Sequence, residues 1–127
     1  MILLSTEKIE IGNSFIKEVD RKIFNAIVIF WLFKNYQWRL ILGTPLVDSI
    51  GPQKLYNKMY DIYISNRDYQ NWFDFFDIYL TSLEDPLTNS IFSFFNLEPF
   101  GKVVIQNSII NGIEVEEAII IRSISSS

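Results

Sequence analysis

The chain of 127 residues contains no cysteine and no histidine. Without cysteine there is no disulfide framework, no zinc-thiolate site and no thiol nucleophile. Without histidine, Ser-His-Asp and Cys-His catalysis are excluded, and with them most transition-metal sites and the usual acid-base group near neutral pH. Glycine and proline are sparse, at 5 and 4, and Gly43 and Gly51 do not form a phosphate-binding loop. The 11 Lys and Arg residues are scattered rather than gathered into a stripe, so the electrostatic footprint of a nucleic-acid binder is missing and nucleic acid is not an expected partner. Long apolar runs are missing too. Ala26 to Phe33 is the most apolar stretch, well short of the roughly 20 residues a membrane-spanning helix needs, and the opening MILLSTEKIEIG does not read as a signal peptide. A membrane is therefore not an expected partner, and the expected location is the cytoplasm.

What the chain has in abundance is apolar and aromatic surface. It is 49% hydrophobic and 16% aromatic with only 20% charged residues and a net charge of −4. That excludes a disordered chain and gives more apolar surface than one small core needs. Some of it is expected to face a partner, either a second copy or another protein.

Hydrophobic spacing predicts the elements. Ile9, Gly12, Ile16, Val19 and Ile23 recur at helical steps, giving a helix near residues 5 to 21 in which Gly12 lets the backbone lie close to a sheet. Asn25 to Phe33 and Trp38 to Thr44 read as a hairpin around Lys34-Asn35-Tyr36-Gln37, with Trp38, Leu40 and Leu42 on one face and Arg39, Ile41 and Gly43 on the other. Pro52 suits a first helical turn, and Leu55, Met59 and Ile62 continue a stripe to Ser65. Asn66 to Asp74 is polar but carries Tyr69, Trp72 and Phe73, too aromatic for an idle linker. Phe75 to Leu80 reads as a strand, and Asp85-Pro86 starts a helix that ends near Asn96.

Pro99, Phe100 and Gly101 then mark a turn before a closing hairpin, Lys102 to Ile110 and Ile113 to Ile124. A two-residue Asn111-Gly112 loop would mix the facing sets. A three-residue loop, Ile110 to Gly112 with Gly112 left-handed at a bulge, puts Val103, Ile105 and Ile109 on one face with Ile113, Val115, Ile119 and Ile121, and is the favoured register. Ser125 to Ser127 should be a frayed tail. The expected architecture is one α+β domain over residues 1–124, with a mixed or antiparallel sheet of about five strands and three helices in the order α-β-β-α-β-α-β-β.

Trp38-Arg39-Leu40, Pro45-Leu46-Val47-Asp48, Gly51-Pro52 and Tyr56, together with Asn111-Gly112, Glu116 or Glu117, Ala118 and Arg122, resemble the pattern of a small uncharacterised bacterial family, a domain of unknown function. Ile121 departs from it where an aromatic residue is expected. The resemblance implies a bacterial domain and supplies no activity.

Several residues invite a functional reading. Asp48 lies between a strand and a helix, where binding loops sit, yet an aspartate there more often stabilises the turn through backbone N–H groups. Arg39 and Arg122 could bind an anion, or pair with acids such as Glu114 or Glu116. Two acids from Asp48, Asp77, Glu84, Asp85, Glu114 and Glu116 could hold Mg²⁺, although no spacing among them is convincing and no cofactor is expected. Trp72, Phe73, Phe75 and Phe76 crowd a short window in which not every ring can turn inward. On the last helix, Leu87, Ile91 and Phe94 are expected inside and Phe92 and Phe95 on an adjoining, partner-facing side. The expected function is a non-catalytic protein-interaction or self-associating domain, most simply a homodimer; the alternative is a carboxylate-dependent, Mg²⁺-assisted hydrolase centred near Asp48.

Overall fold

The computed structural model describes residues 4–98 and 100–124; the 125 to 127 tail and Pro99 of the turn before the last hairpin lie outside the described residues. The chain runs α1 (Thr6–Lys22), β1 (Val28–Lys34), β2 (Gln37–Gly43), α2 (Leu46–Ser49), α3 (Pro52–Ser65), α4 (Arg67–Trp72), a 3-10 turn (Phe75–Asp77), β3 (Ile78–Thr81), α5 (Pro86–Phe94), β4 (Val103–Ile110) and β5 (Ile113–Ser123). The five strands form one sheet in the order β3-β2-β1-β5-β4. Among the described strands, only β2 and β3 pair in parallel. The sheet is thus mixed, as expected, but the helix count is not: described residues form five α-helices, of which α1, α3 and α5 are long, in place of three. The two extra helices are short and start from local hydrogen bonds. In α2, four residues long, Leu46 N–H donates to Thr44 Oγ1 at 3.2 Å. In α4, Asp68 N–H donates to Asn66 Oδ1 at 2.9 Å. Helices of one turn or so leave almost no periodic stripe to read.

The sheet is apolar on both faces because strand residues alternate. Ile29, Trp31, Leu40, Leu42 and Ile119 point toward α1, α3 and α4 in the larger core. Val28, Phe30, Ala118 and Ile120 point the other way, toward Ile91 of α5. Gly12 explains the close seat of α1: an added Cβ would lie 2.6 Å from Cζ2 of Trp31, whose ring is buried. Tyr69 of α4 closes the core edge-on to Phe15 at 5.3 Å, while its hydroxyl donates to Glu18 Oε2 at 3.1 Å. The aromatic 66 to 74 segment is therefore a lid on the core rather than a linker.

The closing hairpin corrects the expected register. Ile110 pairs with Ile113 across a two-residue turn, with Asn111 at φ 50° and Gly112 at φ 81°, the left-handed pair that such a turn requires. The mixed facing sets are resolved midway along. Ile105 and Ile110, five positions apart, both enter the smaller core, as do Val115 and Ala118, three apart. Both strands thus exchange faces at the same level, where Asn107 takes φ 45°, and the pairing register is unbroken on either side.

Candidate interaction surfaces

The two ends of the sheet differ in kind. At one end, the short β3 lies along β2 and against α3. Asp74 starts this region: its Oδ1 accepts from Phe76 N–H at 3.0 Å, winding Phe75–Asp77 into a 3-10 turn and delaying the strand expected from Phe75. Tyr56 and Tyr60, four residues apart on α3, meet Phe75 with rings 6.2 and 5.1 Å away, both edge-on. The Tyr56 hydroxyl accepts the Leu80 N–H at 2.8 Å, so one main-chain donor of β3 is covered by a side chain. Burial pushes the Tyr56 phenol up from its ordinary pKa, with the Leu80 hydrogen bond pulling the other way. Tyr63 OH donates to the Phe73 carbonyl at 2.7 Å, fastening α3 to the chain that leads into the turn.

Outside this fastening lies a cleft of about 720 Å³ whose walls include Tyr56, Asn57, Tyr60, Asp61, Phe76 and Tyr79. Phe76 stands 84% exposed. Arg39 lies over the Tyr79 ring, 5.1 Å from its centre, and its Nε is buried without a hydrogen-bond partner among the described residues. Burial pushes the nearby Asp77 carboxyl up from its ordinary pKa; the charge of Asp74 adds to this, while Lys8 and Arg39 oppose it.

At the other end, β4 is the last strand, and among the described residues no further strand pairs with it. Its eight residues, VVIQNSII, contain neither charge nor proline. Val104 and Ile109 are 53% and 70% exposed. They share the face opposite the smaller core, since Ile105 and Ile110 fill that core.

The residues singled out from the sequence are distributed as follows. Asp48 lies in α2, where its Oδ2 accepts from Ser82 Oγ at 2.8 Å. Ser82 Oγ in turn accepts from Glu84 N–H at 3.1 Å, so Asp48 ties α2 to the loop after β3. Asp85 caps α5, accepting from Thr88 N–H at 3.1 Å. Among the described residues no group of three acids is placed to hold a metal ion. Arg122 does not reach Glu114 or Glu116. It is 4% exposed and grips both oxygens of Asp20 from α1 at 3.0 and 2.6 Å, while also donating to the Ala26 carbonyl at 2.9 Å. This is a structural clamp made by the two terminal nitrogens, with Nε buried and without a hydrogen-bond partner among the described residues.

The aromatic residues divide differently from expectation. Phe73 is buried in the larger core, whereas Trp72 is exposed. On α5, Phe92 and Phe95 pack half-buried against the smaller core, and Phe94 points to solvent, 65% exposed. Helix α5 has only nine residues and ends at Phe94, so Phe95 already follows extended backbone and the helical stripe no longer governs it. Of the cleft residues, Tyr56 enters the sequence reading only through the family resemblance and Tyr60 and Asp61 not at all, although the Tyr56–Tyr60–Tyr63 spacing beside Leu55, Met59 and Ile62 marks a second, aromatic stripe on α3. Among the described residues no helix is long and apolar enough to cross a membrane. No protein-family model, curated protein or solved structure matches this chain.

Proposed function

We propose that this chain is a non-catalytic self-associating domain, working in the cytoplasm, in which the β4 edges of two copies pair antiparallel about a twofold axis. The supporting observation is the character of β4: an edge strand of eight residues with no charge or proline, carrying exposed Val104 and Ile109. Proteins that must stay monomeric usually blunt such an edge with lysine, proline or a covering element. The outward main-chain groups of an antiparallel edge alternate donor and acceptor, so the strand is complementary to itself. Covering the exposed part of Val104 and Ile109 in both copies contributes on the order of 1 kcal/mol per side chain. The pairing is small, and the expected dissociation constant lies at about the micromolar level or weaker. Asn107 limits it further, because its left-handed backbone interrupts the straight run of the strand.

Sedimentation velocity over a hundredfold concentration range tests this reading. The expected result is a mass that rises from 14.9 kDa toward twice that value, and a Val104→Lys, Ile109→Lys double variant that remains at the lower mass. A wild-type chain that is monomeric throughout, or a double variant that dimerises as the wild type does, overturns it.

A further inference from the structure

The cleft at the opposite end of the sheet has a composition of its own, independent of any pairing at β4. Its walls bring together the rings of Tyr56, Tyr60, Phe75, Phe76 and Tyr79, with one carboxylate, Asp61, and no lysine or arginine. Among the described residues Asp61 has no ion-pair partner within 4 Å. The Phe75-Phe76 wall is itself flanked by Asp74 and Asp77 in the chain. A volume of about 720 Å³ falls in the range that takes a small organic ligand, and mainly apolar walls with a few polar groups are the usual make-up of such sites.

We infer that this cleft binds a small organic cation: an alkylated ammonium with an apolar body, its charge held over exposed aromatic rings with Asp61 as counter-charge. Aromatic faces are negative at the centre and attract an alkylated cation that water solvates poorly. The two amides on the rim support the orientation. Gln53 Nε2 donates to Asn57 Oδ1 at 3.0 Å, which fixes the Asn57 amide and leaves its N–H groups turned away from that bond, available to a polar end of the ligand. The ring of Tyr79 already carries one cation, Arg39, at 5.1 Å, whereas among the described residues no charged side chain lies over Tyr60 or Phe76. A neutral apolar ligand would gain the ring contacts and nothing from Asp61, and an anion would meet the Asp61 carboxylate in the wall.

The test is an NMR titration of the whole chain with three soluble probes. Choline and 3,3-dimethylbutan-1-ol have the same shape and differ in charge, and benzyltrimethylammonium adds an apolar body. The expected result is saturable shifts at Tyr60, Phe76 and Tyr79, with choline about tenfold tighter than its neutral isostere and benzyltrimethylammonium tighter again. Phe76 and Asp61 are both exposed, so Phe76→Ala and Asp61→Asn keep the fold, which the spectrum itself verifies; each is expected to weaken benzyltrimethylammonium several-fold. Equal binding of choline and 3,3-dimethylbutan-1-ol, absence of saturable shifts at these rings, or unchanged affinity in both variants overturns the inference. A trimethyllysine peptide that binds tighter than benzyltrimethylammonium overturns the assignment to a free small molecule.

Discussion

Strands β3 and β4 close the same sheet at opposite ends, and they are finished in opposite ways. The β3 edge is four residues long, sits beside α3, and has a main-chain N–H taken by the Tyr56 hydroxyl. The β4 edge is twice as long, and its apolar side chains Val104 and Ile109 face solvent. Each device on the β3 side is one that keeps strands from pairing with strangers: brevity, a covering element and a side chain in place of a neighbouring backbone. On the β4 side, among the described residues, only the left-handed Asn107 acts that way. The difference teaches that exposed apolar area alone does not distinguish the two ends, since Phe76 is more exposed than either Val104 or Ile109. What distinguishes them is whether the main chain is still available.

The anchors behind the two ends can be broken separately. The largest effect is expected on the β5 side, where Arg122 is almost fully buried and depends on Asp20. Asp20→Ala leaves that guanidinium with the Ala26 carbonyl as its remaining hydrogen-bond partner, and a loss of about 3 kcal/mol is expected in urea unfolding. Next is Gly12→Ala, on α1 over the central strand β1: the new methyl group meets the Trp31 ring at 2.6 Å, and overpacking of this kind costs about 2 kcal/mol. This variant should weaken both ends equally and so serves as the reference.

Tyr56→Phe removes one neutral hydrogen bond at the β3 end, with a cost of about 1 kcal/mol. Its sharper readout is amide exchange: the Leu80 N–H should exchange faster while the β4–β5 amides stay as they were. If Leu80 is unaffected, the side chain is not what protects this edge. The smallest effect concerns Asp77, whose carboxyl is pushed up by burial and by Asp74. A carboxyl with a raised folded pKa holds its proton more tightly folded than unfolded, so its ionisation costs stability as pH rises through that raised value. Asp77→Asn should therefore raise the melting temperature slightly at pH 7, with the gain disappearing below the ordinary carboxylate pKa near 3.8. A gain that persists at pH 3 would point to packing instead of charge.

The long elements were legible in the residues. The stripe Ile9, Ile16, Val19 marks α1, Pro52 and Asp85-Pro86 announce α3 and α5, and the alternation Trp38-Arg39-Leu40 assigns β2 to its faces. Helices α2 and α4 escaped because one to two turns produce no stripe. The last register escaped for a different reason: alternation assumes that a strand keeps its faces, and β4 and β5 exchange theirs together at Asn107, a change that each strand makes possible only for the other. At the surface, Arg122 was visible as a residue in need of an acid, but Asp20 is 102 positions away and on another element. The aromatic wall of Phe75 and Phe76 could be read from its density, whereas its meeting with Tyr56 and Tyr60 depends on the parallel β2–β3 pairing, which no local pattern encodes.

The Tyr56 hydroxyl on the Leu80 N–H also sets a limit on number. A sheet with two available edges can add copies indefinitely, each new arrival presenting a fresh end, and the product is a fibre. With one edge stopped, every chain has a valence of one. In the proposed pairing a twofold partner at β4 would use it up and leave only stopped ends facing outward, so growth would halt at two. In the proposed pairing, the brevity of β3, α3 beside it and the Tyr56 hydroxyl together would separate a closed pair from an open polymer.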